Sequence, residues 1–371
     1  MKRIFILLGC FLVFGLQGQD MSGLKIFINP GHGGHDSDDR NVVVAPFKQG
    51  DPEGFWESNS NLDKGLMLRD ILESYGATTQ MSRTQNRTED DLGLSVISAM
   101  ANEFEADFFF SIHSNANTGL TNFPLQLFRG YDNEPVKPVD KVMATILWNK
   151  LISNQIATWT TTSTQVRGDW SFYNWGTQGL GVLRHLTVPG ILSEGSFHDY
   201  VPETYRLLNK DYKWLEAWNF MRAIREYFEI GPSSAGNIAG DVRDSRNVIT
   251  SNYFIIRNCD DELLPLNKAV VTLTSTGAQS KTDTLFNGVY LFKDLTPGEY
   301  QLKAEAEGYF AQDTVITVTA NETTYCKFRL NKVRNTPPEV VDYSPKPESL
   351  TDSVECSEPV VLYFNWDMDK E

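Results

Sequence analysis

Asp107-Phe108-Phe109-Phe110-Ser111-Ile112-His113-Ser114-Asn115-Ala116 is the stretch on which the fold of this chain turns. Its Phe108, Phe109, Phe110, Ile112 run is apolar on both faces, as a buried central strand requires. Lys25 to Asn29 is a second such strand. After it come a glycine loop and a helix over about Asn59 to Tyr75, with Leu62, Leu66, Leu68, Ile71, Leu72 and Tyr75 at helical spacing and Gly76 placed to cap it. Leu94 to Glu105, Val139 to Leu151 and Glu203 to Phe228 read as further helices. Gly181 to Arg184 and Gly190 to Ser193 read as short strands separated by Pro189. Alternation of apolar runs with helical patterns from Leu24 to about Ile230 predicts an α/β domain with a mostly parallel sheet and flanking helices.

Beyond that domain the period changes. Gly231-Pro232-Ser233-Ser234-Ala235-Gly236 reads as a flexible linker, residues 231–236, after which everything is β. Val271 and Leu273 alternate with Thr272 and Thr274, Asn287-Gly288 is a hairpin signal, and Tyr300, Leu302 and Ala304 form another strand, so residues 237–331 are expected to make a small antiparallel sandwich. On Pro265-Leu266, Ala269 to Leu273, Gly288-Val289-Tyr290, Leu295 to Tyr300 and Gly308-Tyr309, this segment resembles the transthyretin-like module of the carboxypeptidase regulatory type. A third pattern, residues 335–371, with Tyr343-Ser344-Pro345 and Val360 to Phe364, resembles the first strands of an immunoglobulin-like domain. Such a sandwich needs about 100 residues, so the natural protein is expected to continue past Glu371.

The 371 residues carry 33 Lys plus Arg against 48 Asp plus Glu, a net charge of -15, which disfavours nucleic acid and anionic lipid as partners. Residues 1–19 read as a secretory signal: Lys2 and Arg3, then an apolar run from Ile4 to Leu16, then Gln17-Gly18-Gln19. That run is too short to span a bilayer, and no other approaches the length of a membrane helix, so an exported chain, periplasmic or extracellular in the cell envelope, is expected. Cys10 leaves with the signal. Cys259 and Cys326 either pair within the sandwich or stay reduced and buried, with Cys356 lacking an obvious mate.

All five histidines, His32, His35, His113, His185 and His198, fall in the α/β domain. His32 follows the first strand in Pro30-Gly31-His32-Gly33-Gly34, and His113 closes the central one. Glu194 closes a third apolar strand in Pro189-Gly190-Ile191-Leu192-Ser193-Glu194. Sites in open α/β sheets assemble at the carboxyl ends of strands, so these polar groups are expected on one rim. An ionised carboxylate among apolar neighbours is costly unless paired or used. His35, His185 and His198 are expected to be structural or surface residues, and Asp36, Asp38 and Asp39 solvated acids rather than a calcium loop.

Taken in order, Pro30 to Gly34, Glu57 with Asn61-Leu62, Ser82-Arg83-Thr84, Ala101-Asn102, Ser111 to Ala116 and Pro189 to Phe197 make residues 24 to about 228 resemble the zinc-dependent N-acetylmuramoyl-L-alanine amidase family. The resemblance implies one Zn2+ held by His32, Glu57 and His113, Glu194 as the catalytic carboxylate, and peptidoglycan as substrate, cut at the amide between N-acetylmuramic acid and L-alanine. Ligand chemistry agrees: two imidazoles and a carboxylate suit zinc and leave a fourth position for water. Two departures bear on substrate fit. The segment from His32 to Glu57 is longer than the family usually shows, and Ile97 stands where many members carry arginine.

Competing functions are a zinc carboxypeptidase, whose His-x-x-Glu pair is missing because His35 follows His32, and a serine esterase, for which no Gly-x-Ser-x-Gly elbow exists. A non-catalytic wall-binding protein with an amidase-like fold is the third, although it would not need Glu194. The aromatic stretch Gly168 to Gly181, with Trp170, Phe172, Tyr173 and Trp175, either offers faces to glycan rings or covers its own small core.

Overall fold

The computed structural model describes residues 21–35, 40–44, 54–250, 260–333, 340–344 and 361–364. Within it β1 (Lys25–Pro30), β2 (Thr78–Met81), β3 (Phe108–Asn115), β4 (Leu125–Phe128), β5 (Val166–Gly168) and β6 (Gly190–Phe197) form one sheet in the order β2-β1-β3-β6-β4-β5. All neighbours run parallel except β6 and β4. Successive residues of β3 face opposite layers. Phe108, Phe110 and Ile112 pack under α1 (Glu57–Ser74), α3 (Pro138–Ile152) and α7 (Lys210–Tyr227), through Leu68, Leu147 and Trp218 among others. Phe109 joins Phe27 beneath α2 (Leu94–Glu103), where Ile97 and Ala101 cover them. A strand buried on both faces explains why β3 has no polar alternation.

Two elements differ from expectation. Residues 181–184 form a one-turn helix, α5 (Gly181–Arg184), instead of a strand. Val182 and Leu183 are buried, and the Ser98 hydroxyl donates to the Val182 carbonyl at 2.8 Å, so α5 lies against α2 and not in the sheet; a four-residue apolar run does not by itself distinguish the two states. The predicted long helix from Glu203 is two, α6 (Val201–Leu207) and α7, because Asn209 interrupts it and its side chain accepts the Tyr212 N–H at 2.9 Å as the cap of α7. The five-residue α4 (Asp169–Tyr173) precedes α5.

The β region is a sandwich of two sheets. One contains β7 (Gly236–Val248), β8 (Leu263–Pro265) and β11 (Val289–Leu295), together with β14 (Thr323–Tyr325) and β15 (Phe328–Leu330). The other has β9 (Val270–Leu273), β10 (Ala278–Lys281), β12 (Gly298–Glu305) and β13 (Gln312–Val318). It is not wholly antiparallel, since β14 and β15 pair parallel with β7. Asn287-Gly288 is a crossing between sheets, not a hairpin: β10 pairs with β9, β11 with β7, and Gly288, at φ +69°, passes so close to the Val242 carbonyl that a Cβ would sit 2.5 Å away.

Residues 231–236 are tied down instead of flexible. Arg225 donates to the Gly231 carbonyl at 2.7 Å, the amide of buried Ser233 donates to Asn321 Oδ1 at 3.2 Å, and the Ser233 hydroxyl lies 3.2 Å from the Tyr75 hydroxyl. The two domains also share a core, since Ala239, Val289 and Leu291 belong to the same apolar cluster as α1, α3 and α7. Val340–Ser344 and Val361–Phe364 pair antiparallel. The expected signal 1–19 with Cys10, the acids Asp36, Asp38 and Asp39, and Cys259 and Cys356 lie outside the described residues. Cys326 is a free, half-buried thiol. No helix among the described residues is long and apolar enough to cross a membrane.

Candidate metal centre and catalytic carboxylate

β1 ends at Pro30, in register with Ile112 of β3, so His32 just beyond β1 comes beside His113 near the end of β3 at one edge of the sheet. His32 takes φ +62°, a left-handed conformation that a histidine adopts at a cost and that aims its ring at the partner strand. Glu57 is the first residue of α1, where the positive end of the helix favours a carboxylate. His32 Nε2 lies 3.3 Å from Glu57 Oε2, and His113 Nδ1 lies 3.3 Å from Glu57 Oε1. One donor atom from each of the three falls within 4.8 Å of the others. Tetrahedral zinc with bonds near 2.0–2.1 Å holds its ligand atoms about 3.3 Å apart, so two imidazoles and a carboxylate clustered this closely are a donor set of the right kind and nearly the right spacing for the ion.

The charge states fit as well. Burial alone would raise the pKa of Glu57, but the hydrogen bonds from His113 and His32 hold it well below the usual carboxylate range. Burial pushes His113 and His198 down, toward neutral imidazole. An ionised carboxylate beside neutral imidazoles is the state a metal requires of its ligands. Glu57 Oε1 further accepts from the Ser114 amide at 3.1 Å and from Asn61 Nδ2 at 3.2 Å, which orient the carboxylate from behind.

Glu194 sits on β6 in direct register with His113 on β3. It is buried, its Oε2 has no hydrogen-bond partner among the described residues, and burial followed by the charge of Glu57 pushes its pKa up to about 8. A carboxyl group of that kind, beside but not between the metal donors, is suited to exchange a proton near neutral pH.

Three further residues shape the site, and none was assigned a role from the sequence. Arg83 stood within the matching segment Ser82-Arg83-Thr84; its buried guanidinium donates to the carbonyls of Pro30 (2.9 Å), Gly31 (2.9 Å) and Ser58 (2.8 Å), locking the His32 turn to the start of α1. Asn86 adds to that lock, accepting from the Gly34 amide at 3.0 Å. His198, expected as structural or surface, is buried, with Nδ1 2.8 Å from the Ser114 carbonyl and 3.9 Å from Glu57 Oε2. No periodicity in the sequence marks it, since it follows a bulge between Glu194 and Phe197. His35 stacks on Trp56 outside the donor set, and His185 is exposed.

A groove of about 420 Å³ opens beside His32 and His113, walled by Arg83, Leu92, Ile97 and Val182. Through Leu94 and Gly181 it continues into an outer recess of about 670 Å³ bounded by Trp175, Arg184 and His185. The aromatic stretch therefore divides. Trp170 is held between Tyr131 and the Arg129 guanidinium, whereas Trp175, stacked on Tyr173 at 4.3 Å, remains 57% exposed beside the groove.

Fold and site together define a mixed α/β domain with a His-Glu-His donor set and an adjacent carboxyl group at the carboxyl edge of its mostly parallel sheet. The family model described as N-acetylmuramoyl-L-alanine amidase matches residues 26–226, more than half of the chain, and the chain belongs to that family, whose substrate is peptidoglycan. Residues 260–331 match the carboxypeptidase regulatory-like domain. The chain is 26% identical over 217 residues to the sporulation-specific N-acetylmuramoyl-L-alanine amidase of Bacillus subtilis, covering 58% of this chain and 72% of that protein. It is 28% identical over 186 residues to the N-acetylmuramoyl-L-alanine amidase CwlM of Bacillus licheniformis, covering 50% and 60% respectively. Among solved structures, the amidase AmiC2 of Nostoc punctiforme is 25% identical, with 56% of this chain and 99% of that one covered and a TM-score of 0.43.

Proposed function

We propose that the protein hydrolyses the amide between N-acetylmuramic acid and L-alanine in peptidoglycan with one zinc ion held by His32, Glu57 and His113, and with Glu194 as its proton-transfer group. The observation that carries this reading is the register of His113 with Glu194 on adjacent parallel strands, which sets an unpartnered carboxyl group beside the donor set. Zinc, when bound, supplies a Lewis acid and lowers the pKa of a water from 15.7 to about 7. Glu194 takes the proton of the attacking water as its oxygen adds to the lactyl carbonyl carbon, then delivers that proton to the L-alanine nitrogen as the carbon–nitrogen bond breaks. The products are a free lactyl carboxylate and a free amino terminus. Arg83 and Asn61 keep the donors in place through the contacts described above.

The groove from His32 toward Trp175 and Arg184 is the place for the stem peptide, whose carboxylates complement the Arg184 guanidinium. Export through residues 1–19 takes the enzyme to the cell wall, and residues 20–230 and 237–331 are its catalytic and sandwich domains. Digestion of purified peptidoglycan tests the reading: new L-alanine amino termini that vanish on chelation and return with zinc are expected. Digestion that liberates only sugar reducing ends, or none at all from zinc-loaded protein, overturns it.

A further inference from the structure

A chain of buried polar contacts runs from the sandwich domain to the strand that carries Glu194. It begins at Asp261, just before β8, whose carboxylate is 3% exposed and ion-pairs with Arg206 of α6. Tyr200, at the start of α6, donates to the other carboxylate oxygen at 3.3 Å, and Arg243 of β7 lies 3.6 Å from the first. Arg206, 1% exposed, in turn donates from Nη1 to Glu203 Oε2 at 2.9 Å. The same Glu203 oxygen accepts from Asn122 Nδ2 at 3.2 Å. Asn122 then uses its Oδ1 to accept the Phe197 N–H at 2.9 Å.

Phe197 is three residues beyond Glu194 on β6, and the ladder with β3 breaks register between them. Residues 195 and 196 are therefore not held by regular pairing with β3, and the amide of Phe197 is anchored by the Asn122 side chain. The alignment of β6 on the far side of Glu194 thus rests on Asn122, whose Nδ2 is shared between the Thr158 carbonyl at 3.0 Å and the Glu203 carboxylate at 3.2 Å, and Glu203 in turn shares Arg206 with a carboxylate from the other domain. A guanidinium buried to this degree needs that partner: removing one member of a buried pair leaves an uncompensated charge, and the neighbouring bonds rearrange to meet it.

We propose that Asp261 is a positioning residue for Glu194, so that the carboxypeptidase regulatory-like domain completes the catalytic unit instead of accompanying it. The proposal rests on Glu194 being the proton-transfer group, and wild-type turnover with an inactive Glu194→Gln enzyme establishes that separately. Asp261→Asn in the full chain keeps the size and the acceptor for Tyr200 while removing the charge opposite Arg206. A group displaced by an ångström or less loses up to about a hundredfold in rate. The expected result, at a temperature where the variant is fully folded, is a fall in kcat of about tenfold or more with zinc content and KM unchanged.

Asn122→Ala is expected to give the same loss, and the double variant no further loss, because both interrupt one path. A purely structural contact would lower the melting temperature and leave kcat of the folded protein alone. Folded, zinc-loaded Asp261→Asn with kcat within twofold of wild type overturns the proposal. If that variant does not fold, Asp261→Glu, which keeps the charge and shifts it by one methylene, is read by the same two outcomes.

Discussion

Gly31 and His113 are in van der Waals conflict with any side chain at position 31: a Cβ built on Gly31 would sit 2.0 Å from the His113 Cε1 and 2.2 Å from Nε2. The glycine that precedes one proposed ligand therefore makes room for the ring of another. Its amide also donates to the Ile112 carbonyl at 2.9 Å, so the backbone has no freedom to retreat.

Gly31→Ala is accordingly expected to push the His113 ring out of line and weaken zinc binding by about 10–100-fold, the scale on which ligand orientation matters. Competition against a chelator measures it. Unchanged zinc affinity would show that the ring moves aside without cost.

His113→Ala and Glu194→Gln separate ligand from proton carrier. The first is expected to emerge largely free of zinc. The second is expected to keep zinc at one per chain and to lose at least about a hundredfold in kcat. Metal analysis of the two purified proteins decides between roles: loss of metal from Glu194→Gln would move that residue into the coordination sphere.

Asp140 sits at the start of α3 with Oδ1 accepting the Gly190 amide at 3.0 Å, and burial pushes its pKa up to about 7. Its unfolded value is about 3.9. Between those values the unfolded chain has lost the proton while the folded one keeps it, so the folded state binds more protons and stability falls as pH rises across that window. Asp140→Asn retains the acceptor and cannot titrate. Its unfolding midpoint is expected to gain on wild type steadily from about pH 4 to pH 7; midpoints of the two proteins running parallel across that range would contradict the assignment.

Trp175→Ala and Arg184→Ala probe the outer recess without touching the donor set. On peptidoglycan each is expected to raise KM by several-fold to about tenfold with kcat preserved, the mark of binding lost equally in ground and transition states. No change in either constant would remove the recess from the path of the substrate.

Much of this protein is determined by sequence alone, because strands buried on both faces announce themselves as unbroken apolar runs. Phe108 to Ile112 mark β3, and the carboxyl ends of strands in an α/β sheet share an edge, so the order of residues itself puts His32, His113 and Glu194 toward one rim. Patterns of two and 3.6 residues likewise divided the α/β part from the β part. What the tertiary structure alone decided involves residues brought together from far apart in the chain. Gly181 to Arg184 is helical because α2 offers it a packing surface, and Asn287-Gly288 crosses between sheets because Asn287 is drawn to Asn209 and Asp283. Arg83, His198 and the path from Asp261 to Phe197 leave no periodic trace: each needs at least one hydrogen bond to a partner 25 to 84 residues away, and such partnerships exist only once the chain has closed on itself.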